Sequence, residues 1–449
     1  MTFDLKQVIG KVDSLVFSDR TLKLFFLTVF LARLIYVMFV IDPNSGQDAP
    51  SFDADAKKII SDGIFTPLEY APVWPVGYSW FVALWWAIFG IESKMLGVVQ
   101  TTLLLLAQIC AVKLVREFTD IRTSQIFGYL ILMNFALFSS SGQLMYEVPF
   151  ASLLLLGAYN LRGLVQNLDW NFHKAALSGL SFGLAILIHP SALAPSLALV
   201  LVALWKNQFS IRLILQSLLL ISLLSSGVFA QVARNSLAGD GVGFTVTAFG
   251  NATYSGWGGN NVVELQRCGE IGNPLLSSKR LGLRWDSPAR QLCMYRIALD
   301  DPSLMGEIFV LNSKRFWSPY VGILKFGGTW YHGLDWRRIV APYGYKWWEG
   351  TPRLVDQTIG YGWMILHFTL FVIGVVTMSR RRKIELLYRI KVILFFLIPI
   401  ISTYFVSLMS HGDSRHRMPI LIFYEVFVAI GVLSLFNTLK KLKTKASVV

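Results

Sequence analysis

Apolar residues gather in long runs rather than at the alternating or every-third-and-fourth positions of a water-soluble core. Many runs approach the roughly 20 residues needed to cross a bilayer. They cover 22–41, 95–114, 123–142, 148–165, 175–188, 191–205, 211–230, 359–378, 390–409 and 418–436. This pattern predicts an all-α polytopic membrane protein of about ten transmembrane helices. The run at 76–89 is short and carries Trp80, Trp85 and Trp86, which suits a re-entrant or interfacial helix with its indoles at headgroup level. The fifth and sixth runs are also short. They meet at His189-Pro190, so the pattern predicts a shallow hairpin with His189 near the outer surface. Between 231 and 358 the long apolar runs stop and Gly and Trp become frequent, as expected of a mixed extracytoplasmic region. No hydropathy repeat relates the two halves, which argues against an inverted-repeat transporter.

Charge orients this layout. If 76–89 is not counted as a crossing, the basic clusters at 113–122, 162–174, 206–212, 380–391 and 440–445 all fall on the cytoplasmic side, as the positive-inside rule requires. Both termini are then inside. The first run is of full span length, follows Lys6, Lys11, Arg20 and Lys23, and lacks a small-residue cleavage site, so it is expected to remain as a signal anchor. Three regions result: an N-terminal transmembrane module (1–230) with a first outer loop at 42–94, an extracytoplasmic region (231–358), and a C-terminal transmembrane module (359–449).

Composition agrees with the pattern. Hydrophobic residues make up 54% of the chain and charged residues 15%, which excludes a soluble globular domain. The net charge of +14 sits in short segments between spans with no nucleic-acid motif, so membrane lipids and lipid phosphates, not nucleic acid, are the expected partners.

The candidate chemistry lies among polar residues on the outer side. Asp48, Asp53 and Asp55 come from the first loop, where an ionised carboxylate can meet the head of a lipid-linked substrate. A solvated turn rich in Asp, Pro and Gly is the plainer reading of that segment. Glu147 opens the fourth run in Tyr146-Glu147-Val148-Pro149, and Arg234-Asn235 ends the seventh. The last outer loop, His411-Gly412-Asp413-Ser414-Arg415-His416-Arg417, carries cations where short outer loops are usually depleted of them. Its arginines suit a phosphate, to which guanidinium offers planar paired donors. No His, Cys or Asp spacing suggests a metal site, and no cofactor is implied. Of the three cysteines, Cys110 lies in a span, and Cys268 and Cys293 share the outer region, where a disulfide between them is plausible.

The order of these features resembles the membrane-embedded C-superfamily (GT-C) glycosyltransferases, which take a sugar from a polyprenyl-phosphate donor and include aminoarabinose transferases and protein O-mannosyltransferases. The resemblance runs almost end to end. It rests on Arg33; on Asp48-Ala49, Phe52, Ala56, Ile59-Ile60 and Gly63; and on Trp74-Pro75-Val76-Gly77-Tyr78, Phe89-Gly90, Gln100 and Glu147. It continues through Arg234-Asn235, Gly243, Thr245 to Thr247 and Gly256-Trp257-Gly258-Gly259-Asn260-Asn261. Ala298, Asp301-Pro302, Asn312-Ser313-Lys314-Arg315-Phe316-Trp317 and Arg415-His416-Arg417-Met418-Pro419 complete it. The chain departs from the pattern where aminoarabinose transferases carry a Lys before Pro-Gly-Tyr, which here is Trp74; where a Tyr is usual, which here is Phe52; and where an Arg-Pro is common, which here is His189-Pro190.

The resemblance implies a GT-C-like fold in a bacterial cytoplasmic membrane, with the active site facing outward. It implies sugar transfer from an undecaprenyl-phosphate-type donor to a glycan, lipid or protein acceptor, with inversion. Asp48 is the implied general base, with Asp53 and Asp55 as secondary acids, and Glu147 positions the acceptor or Asp48. Arg415, Arg417, Arg234 and His411 are implied for the donor phosphate, and Tyr78, Asn235, Asn260 and Trp257 for substrate contact. The loop aromatics Trp257, Trp330, Trp347 and Trp348 either stack on sugar faces or rest at the membrane interface. A lipid-linked oligosaccharide flippase is the alternative from another class, but it calls for mid-span charges, and apart from Arg33 the spans look almost free of them. An O-antigen polymerase or ligase is a third reading.

Overall fold

A computed structural model describes residues 17–43, 49–68, 76–166, 170–205, 207, 210–238, 287–317, 351–380, 385–409 and 419–446. Asp48, Trp257, Asn260, His411, Arg415 and Arg417 lie outside the described residues, as does Cys268. Among the described residues every regular element is a helix and there is no strand, the all-α architecture that the apolar runs predict.

Fifteen helices are named in chain order: α1 (Asp19–Ile35), α2 (Ala49–Asp62), α3 (Val76–Phe89), α4 (Met95–Phe118), α5 (Ile121–Leu132), α6 (Phe135–Ser140), α7 (Glu147–Val165), α8 (Phe172–Ile188), α9 (Leu193–Leu204), α10 (Ile211–Leu237), α11 (Ser287–Asp300), α12 (Pro302–Phe316), α13 (Thr351–Ser379), α14 (Leu386–Met409) and α15 (Leu421–Ala446). A π-helical turn over Tyr36–Val40 extends α1. Ser18, Asp120, Asn171 and Ser210 cap α1, α5, α8 and α10 by accepting the amides of Thr21, Thr123, Lys174 and Leu213. Each such cap contributes about 1 kcal/mol.

Among the described residues six helices are long and apolar enough to cross a membrane: α1 with its π turn, α4, α7, α10, α14 and α15. The shorter apolar helices are α3, α8, the stretch Pro190–Leu204, and Met364–Ser379 within α13. The run at 123–142, expected to be one continuous span, is not one. It divides into α5 and the six-residue α6, separated at Met133-Asn134. The interruption is compensated by side chains from neighbouring helices. A helix that stops inside the membrane strands its last carbonyls, at a cost of several kcal/mol if they stay unsatisfied. Here Arg33, 1% exposed on α1, donates from Nη2 to the Leu132 carbonyl (3.2 Å), and from Nη1 to Gln108 Oε1 (2.9 Å). Gln108 in turn donates to the Ile131 carbonyl at 2.9 Å.

Two further expectations are corrected. The indoles of α3 are not free to face lipid headgroups along their whole length: Trp86 is buried, and the ring nitrogens of Trp80, Trp85 and Trp86 are all enclosed by protein. Nor are the apolar helices nearly free of charge. Glu425 of α15 is buried with its carboxylate 3.7 Å from His367 Nε2 of α13. Lys391 of α14 is buried with its ammonium on Asn207 Oδ1 (2.9 Å) and the Leu164 carbonyl (3.3 Å) at the end of α7.

The early and late helices pack directly together, α9 on α14 and α5 on α15. The α11–α12 pair sits over the end of α14, where Asn312 donates to the Leu408 carbonyl (2.8 Å) and Tyr295 to that of Met409 (3.3 Å). Helices α13 and α15 run side by side with their backbones almost touching. A Cβ added to Gly374 would lie 1.9 Å from the Phe427 carbonyl oxygen, and one on Gly431 would lie 2.0 Å from that of Leu370.

Candidate active site

The first loop reaches its place through α2. Phe52, Ala49, Ala56 and Ile59 form its buried face. Phe52 is fully enclosed, a burial worth about 1.5–3 kcal/mol. Its ring meets Tyr78 of α3 edge-on (centroids 4.7 Å apart) and Tyr146 in the same manner at 6.2 Å. Tyr146 immediately precedes α7, whose first residue is Glu147.

Gln100 of α4 fixes this arrangement from below. Its Oε1 accepts the Tyr78 hydroxyl at 3.0 Å, and its Nε2 donates to the carbonyls of Ser141 (3.1 Å) and Gln143 (3.0 Å). That turn follows the broken span. The Met145 amide bonds to the Gln143 carbonyl (2.8 Å), and the Leu144 amide to the Pro43 carbonyl (2.9 Å). The two residues flanking 44–48, Pro43 before it and Phe52 just after the start of α2, therefore both dock on the turn that delivers Glu147. Glu147 itself is 1% exposed, so it is not the solvated helix end that an acid at a span boundary often is.

Tyr78 packs here because of its neighbour. A Cβ on Gly77 would lie 2.2 Å from the Leu187 carbonyl oxygen, so only glycine lets α3 lie this close to the end of α8. Two residues beyond Leu187, His189 breaks the α8–α9 run with an extended backbone. It is half-buried, and its ring stacks on Tyr146 (4.3 Å, 16°) and lies parallel to Phe150 (5.9 Å, 17°).

The other acids and the basic candidate separate by environment. Asp53 pairs with Lys57 at 3.0 Å, and Lys57 also binds Glu92 in the loop after α3. The hydrogen bonds that Lys57 donates, to Glu92 first and to Asp53 second, hold its ammonium above the usual range. Asp55 faces inward and is 2% exposed. Arg234 is fully buried at the end of α10. Its Nη2 donates to the Thr66 carbonyl (2.8 Å) beyond α2, and its Nη1 to Asn235 Oδ1 (3.2 Å), which also accepts from Gln231. In the described residues Arg234 thus ties α10 to the chain beyond α2. Sequence reasoning singled out Glu147, Tyr78 and Arg234 but gave Gln100 no role and Tyr146 none. The signal available was Gln100 as a polar residue in a long apolar run. Cys293 is disulfide-bonded and Cys110 is free. Among the described residues no three His, Cys, Asp or Glu side chains are grouped to hold a metal ion.

No family model matches this chain, and no curated protein does either. Solved structures do. The oligosaccharyltransferase of Archaeoglobus fulgidus in its apo form aligns with a TM-score of 0.50 and 14% identity, over 96% of this chain and 52% of that one. The same enzyme tethered to an acceptor peptide aligns with a TM-score of 0.50 and 14% identity, over 94% and 50%. ArnT from Cupriavidus metallidurans bound to undecaprenyl phosphate aligns with a TM-score of 0.37 and 12% identity, over 86% and 77%. The chain spans about half the length of the oligosaccharyltransferase it resembles. At these identities the likeness is one of fold, a multi-pass GT-C-like helical architecture.

Proposed function

We propose that this chain is an integral membrane glycosyltransferase that moves a sugar from a polyprenyl-phosphate donor to an extracytoplasmic acceptor. The observation that carries this reading is the double docking of the first loop. Pro43 and Phe52 bracket 44–48 and both rest on the turn ending in buried Glu147. A scaffold with no chemistry has no need to dock both Pro43 and Phe52 beside a buried carboxylate in a bundle of apolar helices. The fold shared with an oligosaccharyltransferase supports a transferase.

In this reading Asp48 accepts the proton of an acceptor hydroxyl or amine as that group attacks the anomeric carbon. The bond to the polyprenyl phosphate breaks in the same displacement, so the configuration inverts. Arg415 and Arg417, with His411, receive the negative charge of the departing phosphate. Glu147 orients the acceptor or Asp48, and its charge opposes ionisation of a neighbouring acid. Arg234 acts by holding the chain beyond α2 in register, with Asn235 beside it. Trp257 and Asn260 contact substrate, and Tyr78, fully buried between Phe52 and Gln100, supports the site from within instead of touching substrate.

The test is transfer from a panel of radiolabelled polyprenyl-phosphate sugars to membrane acceptors, comparing the native chain with Asp48→Asn at matched expression. The variant is expected to lose activity by about a hundredfold to ten-thousandfold while still binding donor. Full activity in the variant moves the base to Asp53, Asp55 or Glu147. A flippase is the second reading, favoured by the buried His367–Glu425 pair within the membrane helices. Failure of every donor to transfer, together with translocation of a lipid-linked glycan, would put it first.

A further inference from the structure

His189 interrupts an apolar hairpin at the level of Glu147, and its geometry is over-determined. The Ser191 amide donates to its Nδ1 (3.3 Å), and the Ser191 hydroxyl lies 2.6 Å from the same nitrogen. With Nδ1 an acceptor, the neutral ring carries its proton on Nε2. The backbone is fixed as well, since the His189 amide bonds to the Ala185 carbonyl (2.8 Å) and its own carbonyl accepts from Ala192 (3.0 Å). The ring cannot turn without breaking this cap. Its face lies against Tyr146 and stays parallel to Phe150 one turn on, so it packs along the face of the first turn of α7 that these two rings share, and Glu147 is the residue that follows Tyr146 on that turn. Tyr146 is held at its other contact by Phe52 of α2. The clamp therefore runs from the first loop through Tyr146 to the α8–α9 junction.

We propose that His189 is a positioning residue for Glu147: its capped imidazole, stacked on Tyr146, sets the rotation of the first turn of α7 and so the placement of the carboxylate. The consequence for turnover rests on the transfer reading above; the placement itself does not. Two substitutions separate the ring's two contacts. His189→Asn keeps the cap, because an Asn side chain accepts the amide two residues on, but loses the stack. His189→Phe keeps the planar stack and loses the cap.

The first readout needs no substrate. Glu147 is labelled with a membrane-permeant carbodiimide in the full-length protein, and the rate is followed by mass spectrometry of the peptide carrying it. His189→Asn is expected to change that rate by about tenfold, and His189→Phe to restore it to within about twofold, a displacement of the order that costs comparable factors in catalysis. The second readout is turnover. His189→Asn lowers kcat by about tenfold with KM for donor nearly unchanged, and adds little in a Glu147→Gln background, because the two lesions act on one group. An unchanged labelling rate in His189→Asn overturns the proposal, whether or not the protein transfers sugar. A changed rate rescued by Phe, in a protein that transfers no sugar, upholds the positioning role and sinks the transfer reading instead.

Discussion

Arg33 takes the Leu132 carbonyl at the end of α5, Gln108 adds a bond to that of Ile131, which also accepts the Asn134 amide, and Gln100 bonds those of Ser141 and Gln143 in the turn that follows. In each case a polar side chain inside the bundle is spent on backbone that a continuous helix would have satisfied by itself. Arg33→Met leaves the Leu132 carbonyl and Gln108 Oε1 without their donor. The expected loss is about 1–3 kcal/mol, seen as a lower midpoint of thermal unfolding in detergent. An unchanged midpoint would mean that the break is held by packing alone. Arg33, Gln100 and Glu147 could all be picked out from the sequence as polar residues in or beside apolar runs. What each does could not. Glu147 as a buried group and Glu147 as a wet helix end have the same sequence, and the choice is made by Phe52 and Tyr146, which close over the turn.

Among the elements, the apolar runs located most helices to within a few residues, because a long hydrophobic stretch in a bilayer has helix as its only inexpensive form. The exceptions share one physical origin. Residues 123–142 read as one span because the groups that satisfy its break, on α1 and α4, are far off in sequence. The α3 indoles read as interfacial because their burial depends on α2 and α8 closing around them. Glu425 passed unnoticed because its partner, His367, belongs to another helix. Contact between helices is also where substitution is least tolerated. Gly374→Val has to drive α13 off the Phe427 carbonyl, and is expected to cost about 3 kcal/mol or more. Gly362→Ala, on the same helix where an added Cβ meets nothing within 4 Å, is expected instead to stabilise by up to about 1 kcal/mol. Equal effects of the two in thermal unfolding would deny that the α13–α15 backbones touch.

Taken as a whole, the bundle unites elements of unequal height. Helix α8 has 17 residues and α9 has 12, so at 1.5 Å per residue they rise only about 25 Å and 18 Å, against about 30 Å of hydrocarbon. If their capped or basic ends lie at the inner face, as the charge pattern predicts, the turn carrying His189 would stop below the outer headgroups, and Tyr146 and Glu147 with it. On the proposed transfer reading, the bilayer itself would then become a parameter of the reaction. A thin membrane brings the phosphate plane down to the carboxylates, whereas a thick one draws it away or forces the short helices to recruit a local dimple of lipid. Turnover in proteoliposomes of increasing acyl length should fall once the hydrocarbon outgrows these helices, while donor binding in detergent stays constant. A rate indifferent to chain length would mean that the protein carries its own thinned patch of membrane wherever it goes.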